Sequence, residues 1–435
     1  MPEMSRRDFG RLAGGFGAAV LAGRASAIAR GAARVVIVGG GAGGATAAHL
    51  LKKGAPELDV TLIETNPIYT SSLLSNLYLA GLRTLVSLNH AYAGLHRVDV
   101  KVVQDTARDV DAAARIVKTT GGRSYAYDRL VLGPGVEIEY QSVRGYSPAA
   151  ARLLPHAYTS TAHGKRVLKR QLRSMRDGGT VVLAPPKNPY CFPPAPYERA
   201  CMIAHFLKTR KPKSKLIILD PKKSFPDQAA FMAAFDRYYR NIIELHLSRD
   251  GEDFSLLRVN ARTREIFTRA GKKVKADVAN IIPQQRAGRI AARAGCTAGD
   301  WCPVTDRFLS KTVKDVYVIG DASIASEMPK SAYTAHSQAK VVADDILADL
   351  AGKPRVGAHY DSVCWPVIAP HQALKMGASY APRGGRLRPV QTSMSDASES
   401  DEMRTQNYRE GIAWYASITA DMFAMSEAEK PHKPR

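Results

Sequence analysis

At 435 residues, 45% of them hydrophobic and 23% charged, the chain is long enough to bury a large core and to divide into two or three domains. Its formal charge of +22, from 62 Lys and Arg against 40 Asp and Glu, is scattered with no aromatic–basic reading module. That excludes nucleic acid as the expected partner and favours an acidic protein or an anionic substrate.

The start of the chain is set aside from the fold. Ser5-Arg6-Arg7-Asp8-Phe9 precedes a weakly apolar run, Leu12–Gly23, and small-residue cleavage sites at Ala25-Ser26-Ala27 and Ala27-Ile28-Ala29. Paired arginines before such a run read as a twin-arginine export signal over residues 1–29, which predicts a mature protein in the periplasm. Beyond it no stretch reaches the about 18 uninterrupted apolar residues of a membrane span, so no integral membrane segment is expected.

The next run, Ala33–Gly44, reads ARVVIVGGGAGG. Val35–Val38 suit a buried strand, and Gly39, Gly41 and Gly44 satisfy G-x-G-x-x-G, with Ala42 opening the helix. Gly39 permits the tight turn, Gly41 lets backbone amides approach a pyrophosphate, and Gly44 lets the helix pack close. Asp59–Glu64 (DVTLIE) predicts a second parallel strand ending in an acid. Glu64 stands where a ribose 2′-OH is bound and a 2′-phosphate is disfavoured. Tyr127–Gly135 (YDRLVLGPG) reads as a buried strand leaving through a glycine-proline turn that includes Gly133.

A second module repeats the plan. Lys165–Asp177 is helix-compatible, Thr180–Ala184 a strand, Tyr197–Thr209 a helix and Lys215–Asp220 (KLIILD) another parallel strand. The turn after Thr180–Ala184 runs from Pro185 to Pro194 through Tyr190, Cys191 and Phe192. Proline lacks the N–H that holds a phosphate and cannot take a positive φ, which argues against NAD(P)H as reductant. Asp277–Pro283 and Asp315–Gly320 read as strands returning to the first module. Gly320 and Asp321 then end a buried run near a ribityl-pyrophosphate segment. Met328–Ser331, with Lys330, opens a helix whose positive end faces the cofactor ring. The tail joins Asp361–Pro370 (DSVCWPVIAP), a polar stretch Gln391–Glu402 and an aromatic segment from Tyr408 to Phe423.

The five cysteines (Cys191, Cys201, Cys296, Cys302, Cys364) lack C-x-x-C and C-x-x-C-H spacing. Neither structural zinc nor covalent haem on this chain is expected. In an oxidising compartment they allow disulfides with at least one left over, and Cys296 and Cys302 are close enough in sequence for a surface bridge. The expected fold is α/β: two Rossmann-like nucleotide-binding-fold domains with a C-terminal α+β capping or interface domain. Its predicted parts are a discontinuous dinucleotide domain over residues 30–143 and 251–356, the second module over 144–250, and the tail over 357–435.

Together, Ala184–Ala200 (APPKNPYCFPPAPYERA), Ala276–Pro283 (ADVANIIP), Val318–Gln338 (VIGDASIASEMPKSAYTAHSQ) and Cys364 within VCWPVIAP resemble the flavoprotein subunit of flavocytochrome c sulfide dehydrogenase. More broadly the chain is similar to glutathione-reductase-like flavoproteins, which include sulfide:quinone reductases. The resemblance implies FAD as cofactor and sulfide as substrate. It also implies a redox-active cysteine pair beside the flavin, and a c-type cytochrome subunit or soluble cytochrome c as partner, which alone would carry haem c.

By context Cys191 and Cys364 match that pair. Cys191 sits one place before the usual cysteine, with Phe192 in the expected position, and Cys201 is a nearby substitute, so Cys364 ranks first. Tyr69–Asn76 (YTSSLLSN) resembles the segment in which relatives attach FAD through a cysteine thioether. Ser71 and Ser72 stand there instead, so FAD is expected to be noncovalent, with Ser72 and Asn76 still beside it. Lys330 is expected to stabilise negative charge, and Trp414 (in GIAWY) resembles a family aromatic near the route to the haem partner. The competing readings are a sulfide:quinone reductase and a noncatalytic flavin-bearing assembly protein.

Overall fold

Four of the five side chains of RVVIV are β-branched, and all four are at most 5% exposed. A strand buried on both faces reads as a continuous apolar run, because helices cover both sides of a parallel sheet. The computed structural model describes residues 32–250 and 253–425, and the chain from Ala33 onward forms one unit. The expected export signal, residues 1–29, lies outside the described residues.

In chain order the first module opens with β1 (Arg34–Val38), α1 (Ala42–Gly54), β2 (Asp59–Glu64), β3 (Lys101–Gln104) and β4 (Arg129–Leu132). The second contains α2 (Ala162–Ser174), β5 (Thr180–Ala184), α3 (Ala195–Arg210), β6 (Lys215–Asp220), β7 (Ile243–Leu247) and β8 (Val278–Ile281). The chain then supplies β9 (Val316–Val318) and α4 (Ala332–Leu350), and the tail forms β10 (Tyr360–Cys364), β11 (Met376–Arg383), β12 (Arg386–Met394) and α5 (Asp401–Phe423).

The first sheet has the order β9-β4-β1-β2-β3, every pair parallel. Its centre is the β1–β2 register, Arg34 opposite Asp59 through Val38 opposite Ile63. The second sheet, β7-β6-β5-β8, is also parallel. Two doubly covered parallel sheets are the expected α/β plan, and the antiparallel tail sheet β10-β11-β12 with α5 completes it.

One boundary differs from the sequence reading. Val278–Ile281 was expected to return to the first module, but Val181 pairs with Val278 and Ala184 with Ile281, which puts β8 in the second sheet. The reason is a repeated crossover. In the first module three antiparallel strands (Ala107–Asp111, Ile116–Thr119, Ser124–Ala126) lead into β4 beside β1. In the second, Leu256–Asn260, Glu265–Thr268 and Lys273–Lys275 lead into β8 beside β5. The second module therefore runs through Ile281 rather than ending at 250, and only β9 returns to the first sheet.

The end of α5 is fastened to the first module. The Phe423 ring stacks on His90 at 5.0 Å and lies 5.6 Å from Tyr92, while His90 Nε2 meets the Tyr415 hydroxyl at 2.9 Å. Asp421 pairs with His336 of α4 at 3.0 Å. At the other edge Thr334 Oγ1 donates to Ser362 Oγ at 3.0 Å, tying β10 to α4. These contacts hold the tail over the carboxyl ends of the first sheet, where ligands of open α/β folds bind.

Candidate functional site: a dinucleotide cleft beside two thiols

A cleft of about 850 Å³ opens at the carboxyl ends of β1 and β2. Gly39 (φ +99°) turns the chain, and a Cβ there would stand 2.3 Å from the Gly133 carbonyl oxygen. Gly44 does not line the cleft. It lets α1 pack, since its Cβ would meet Gly39 O at 1.9 Å. Gly41 differs from both, for a Cβ there would have nothing within 4 Å. That open space lies on the cleft wall at the N-terminus of α1, next to Ala42, where backbone amides and the helix dipole favour an anion.

Glu64 reaches the same cleft from the end of β2. Its Oε2 accepts from Gly40 N at 2.7 Å, and its Oε1 from Asn66 N at 2.8 Å. Oε1 also accepts from Asn66 Nδ2 at 3.0 Å, so it is Oε2 that keeps a lone pair for a ribose hydroxyl. Across the cleft stand Gly133, Gly320 and Asp321. The Asp321 Oδ1 is shielded from solvent without a hydrogen-bond partner. Burial pushes its carboxyl up to about 6, against the opposing pull of Lys330. A buried orphan acceptor calls for a hydroxyl donor, which the ribityl chain of FAD carries. Ser331 caps α4 by accepting from Thr334 N at 3.1 Å, and Ser331 and Ala332 line the cleft at that helix's positive end. Anion-binding turn, ribose acid, orphan acceptor and helix N-terminus all fit FAD.

Cys191 lies on the wall of this cleft, half-buried. Its amide donates to Gln285 Oε1 at 2.9 Å, and the Gln285 Nε2 is buried without a partner. Burial pushes the Cys191 thiol well above its usual range and Asp321 adds to this, while Lys330 and Gln285 pull it down. Cys364, at the end of β10, lines a separate chamber of about 40 Å³. Leu73, Phe192, Ser331 and Ala332 form walls of both spaces. Burial raises the Cys364 thiol too, followed by the Glu198 charge.

Several expectations are corrected by this geometry. Cys191 and Cys364, like the other three cysteines, are free thiols here, the reduced form of the expected pair. The one-place offset seen in the sequence puts Phe192 on the shared wall, with Cys191 on the cleft side only. Cys201 is buried in α3 within the second core and lines neither space. Cys296 and Cys302 are fully buried in the first core, so they make no surface bridge. Asn76 turns away from the cleft into a buried network, because Leu74 (φ +58°) starts a short helix, Ser75–Ala80, against α3. Its Nδ2 donates to Glu198 Oε2 at 2.7 Å and its Oδ1 accepts from Arg199 Nε at 3.0 Å. Ser72 does line the cleft and offers a hydroxyl where a thioether would need sulfur.

Lys330 acts at a distance. Its ammonium donates to Asp321 O at 2.9 Å and Ser323 O at 2.6 Å and sits 3.8 Å over the Trp301 ring, on neither cavity wall. Burial lowers it to about 8, yet its charge still reaches Asp321 and Cys191. Trp414 stacks on Tyr333 at 5.1 Å and lies 5.4 Å from Trp365, and all three half-buried rings line the Cys364 chamber.

The sequence reading missed Glu198. This carboxylate is buried in the first turn of α3 and lines the Cys364 chamber. It accepts from Val367 N at 3.0 Å as well as from Asn76. Burial pushes it up against those hydrogen bonds and Arg199. In sequence its only signal was an acid near a helix start, which ordinary helix stabilisation explains equally well.

Comparison with known proteins places these features. Residues 165–283 match the central region of the sulfide dehydrogenase [flavocytochrome c] flavoprotein chain, and residues 357–423 match the flavocytochrome c sulphide dehydrogenase flavin-binding region. Over these two regions the chain is similar to the flavocytochrome c sulfide dehydrogenase flavoproteins. Its cofactor is FAD. Residues 33–176 match the pyridine nucleotide-disulphide oxidoreductases, the wider group to which the first module conforms.

The chain is 27% identical over 180 residues to a sulfide-quinone reductase of Aquifex aeolicus, covering 41% of this chain and 40% of that protein. It is 22% identical over 310 residues to the mitochondrial sulfide:quinone oxidoreductase of Mus musculus, covering 66% and 65%. The matched stretches thus span less than two thirds of either curated relative. The solved sulfide:quinone oxidoreductase of Aquifex aeolicus shares the fold, with a TM-score of 0.70 at 20% identity over 92% of this chain and 94% of that one.

The second module fits no second dinucleotide. Asp220, which ends β6 as Glu64 ends β2, is fully buried. The Tyr197 hydroxyl donates to its Oδ2 at 2.5 Å, and Lys222 Nζ meets its Oδ1 at 2.8 Å while also donating to Pro186 O at 2.9 Å. The acid is spent inside the protein, and the turn above it is proline-rich. Titration with NADH or NADPH is therefore expected to give dissociation constants weaker than about 1 mM. Saturable binding of either nucleotide in the micromolar range would contradict this.

Proposed function

We propose that the protein is a sulfide dehydrogenase flavoprotein of the periplasm, oxidising hydrosulfide at its cysteine thiols and FAD and passing electrons to a c-type cytochrome. The observation that carries this reading is Cys191 on the wall of the FAD cleft, with Cys364 in a chamber that shares four wall residues with it. FAD, when bound, supplies the acceptor for the electron pair that leaves sulfur.

The chain's own groups supply the rest. The surplus of 22 positive charges draws an anion toward the protein. Lys330 and the Gln285 amide favour negative charge on Cys191. Glu198, its proton affinity raised by burial, is suited to take a proton inside the Cys364 chamber. The N-terminus of α4 favours negative charge in the cleft. Tyr333, Trp365 and Trp414 give the chamber an aromatic side on which a partner can dock. The cytochrome and the periplasm rest on the family resemblance and on the export-like start.

A second reading is favoured by the named relatives, both of which are described as acting on quinone. Among the described residues no helix is long and apolar enough to cross a membrane. Anaerobic mixing with sulfide, followed by cytochrome c or a soluble quinone, separates the readings. Sulfide should bleach the flavin and cytochrome c should restore it. Reoxidation by quinone alone would favour the quinone reductase. A flavin that sulfide leaves oxidised would mean a noncatalytic flavin-bearing protein.

A further inference from the structure

Phe192 is one of the four residues that line both thiol compartments, and the only aromatic one among them. It has φ +51°, a left-handed conformation uncommon for a bulky side chain. Three hydrogen bonds hold it there: its N–H donates to Lys330 O at 2.6 Å, its carbonyl accepts from Ala195 N at 2.9 Å, and from the Tyr158 hydroxyl at 3.4 Å. An unfavourable backbone conformation fixed from both sides sets the direction of its side chain. Phe192 lines both the cleft bearing Cys191 and the chamber bearing Cys364.

The two compartments differ greatly in size, about 850 Å³ against about 40 Å³. A single water needs about 10–15 Å³ of such space, so the chamber admits about three or four heavy atoms. Its walls are otherwise unyielding. Gly411 of α5 is pressed against Trp365, where a Cβ would stand 2.8 Å from the Trp365 Cβ, and Trp414 is stacked on Tyr333.

We propose that Phe192 is a specificity-determining partition, which limits the Cys364 thiol to a sulfur species of hydrosulfide or persulfide size and leaves longer sulfur chains to the Cys191 side. The inference rests on the proposed function for the nature of the small species. It concerns access to a thiol, so its test needs no turnover.

The probes are two alkylthiosulfonates with the same leaving group, methyl methanethiosulfonate and benzyl methanethiosulfonate. In each the cysteine sulfur attacks the sulfenyl sulfur, a mixed disulfide forms, and methanesulfinate departs with the electron pair of the broken S–S bond. Peptide mass mapping gives the methyl-to-benzyl rate ratio at each cysteine, a quantity from which thiol acidity cancels. In the wild-type protein the ratio at Cys364 should exceed that at Cys191 by about tenfold or more, the scale on which a tight pocket discriminates size. Phe192→Ala should bring the Cys364 ratio down to that of Cys191, and Phe192→Leu should keep most of the difference. Equal ratios at the two thiols in the wild type overturn the proposal, whatever becomes of the variants. An unchanged Cys364 ratio in Phe192→Ala, with the circular dichroism spectrum preserved, does so as well. Failure of sulfide to reduce the flavin would sink the functional reading and leave this labelling pattern untouched.

Discussion

Cys191→Ser should keep its FAD and lose sulfide-driven flavin reduction by about 10²- to 10⁴-fold, the usual worth of a reacting side chain. The hydroxyl occupies the same place on the cleft wall but cannot hold sulfur in a reactive S–S bond. Cys364→Ser should suffer a similar loss, because the chamber and the cleft share the wall formed by Leu73, Phe192, Ser331 and Ala332. Cys296→Ser is the control. Its thiol is buried in the first core, away from both compartments, so the variant should lose some stability and little of the reaction. Stopped-flow measurement of flavin bleaching decides the matter. Rates within about threefold of wild type in both single cysteine variants would remove the thiols from the mechanism.

The second large effect concerns two glycines of one turn that act through different physics. In Gly44→Ala the new methyl lies 1.9 Å from Gly39 O, a backbone atom that cannot swing aside. The variant should lose about 3 kcal/mol of stability, as overpacking against a fixed neighbour does. In Gly41→Ala the new methyl meets no protein atom within 4 Å, and the residue already has an ordinary φ of −77°. Its apoprotein should melt close to the wild-type temperature, yet bind FAD about 10- to 100-fold more weakly, because the methyl occupies the anion's approach to the helix N-terminus. Thermal melts of the apoproteins, with flavin content after gel filtration, separate the two. A Gly41→Ala protein that retains FAD as firmly as wild type would show that no phosphate lies against that turn.

The sequence by itself determined what depends on a few adjacent residues. Gly39, Gly41 and Gly44 could be read because their requirement is local, a positive φ or a missing Cβ. Glu64 could be read because its acid-ended strand follows a glycine-rich turn and helix, whereas Asp220, which also ends a parallel strand, follows a proline-rich turn. The proline-rich turn after β5 was legible for the same reason. What only the tertiary structure decided depends on partners far along the chain. Val278–Ile281 carries no mark of which parallel sheet it joins. Asn76 lies in a family-like segment, but one left-handed residue at Leu74 sends it toward Glu198 and Arg199. Lys330 could be placed near the site, though not the carbonyls that hold its ammonium off the cleft. Cys364 ranked above Cys191 by motif, whereas the cleft itself places Cys191 on its wall. A one-residue offset sets which side chain faces which cavity, and sequence spacing cannot show the wall between them. Glu198 was invisible until Cys364, some 166 residues later, was folded against it, because burial and the groups that share it are properties of the packed chain alone.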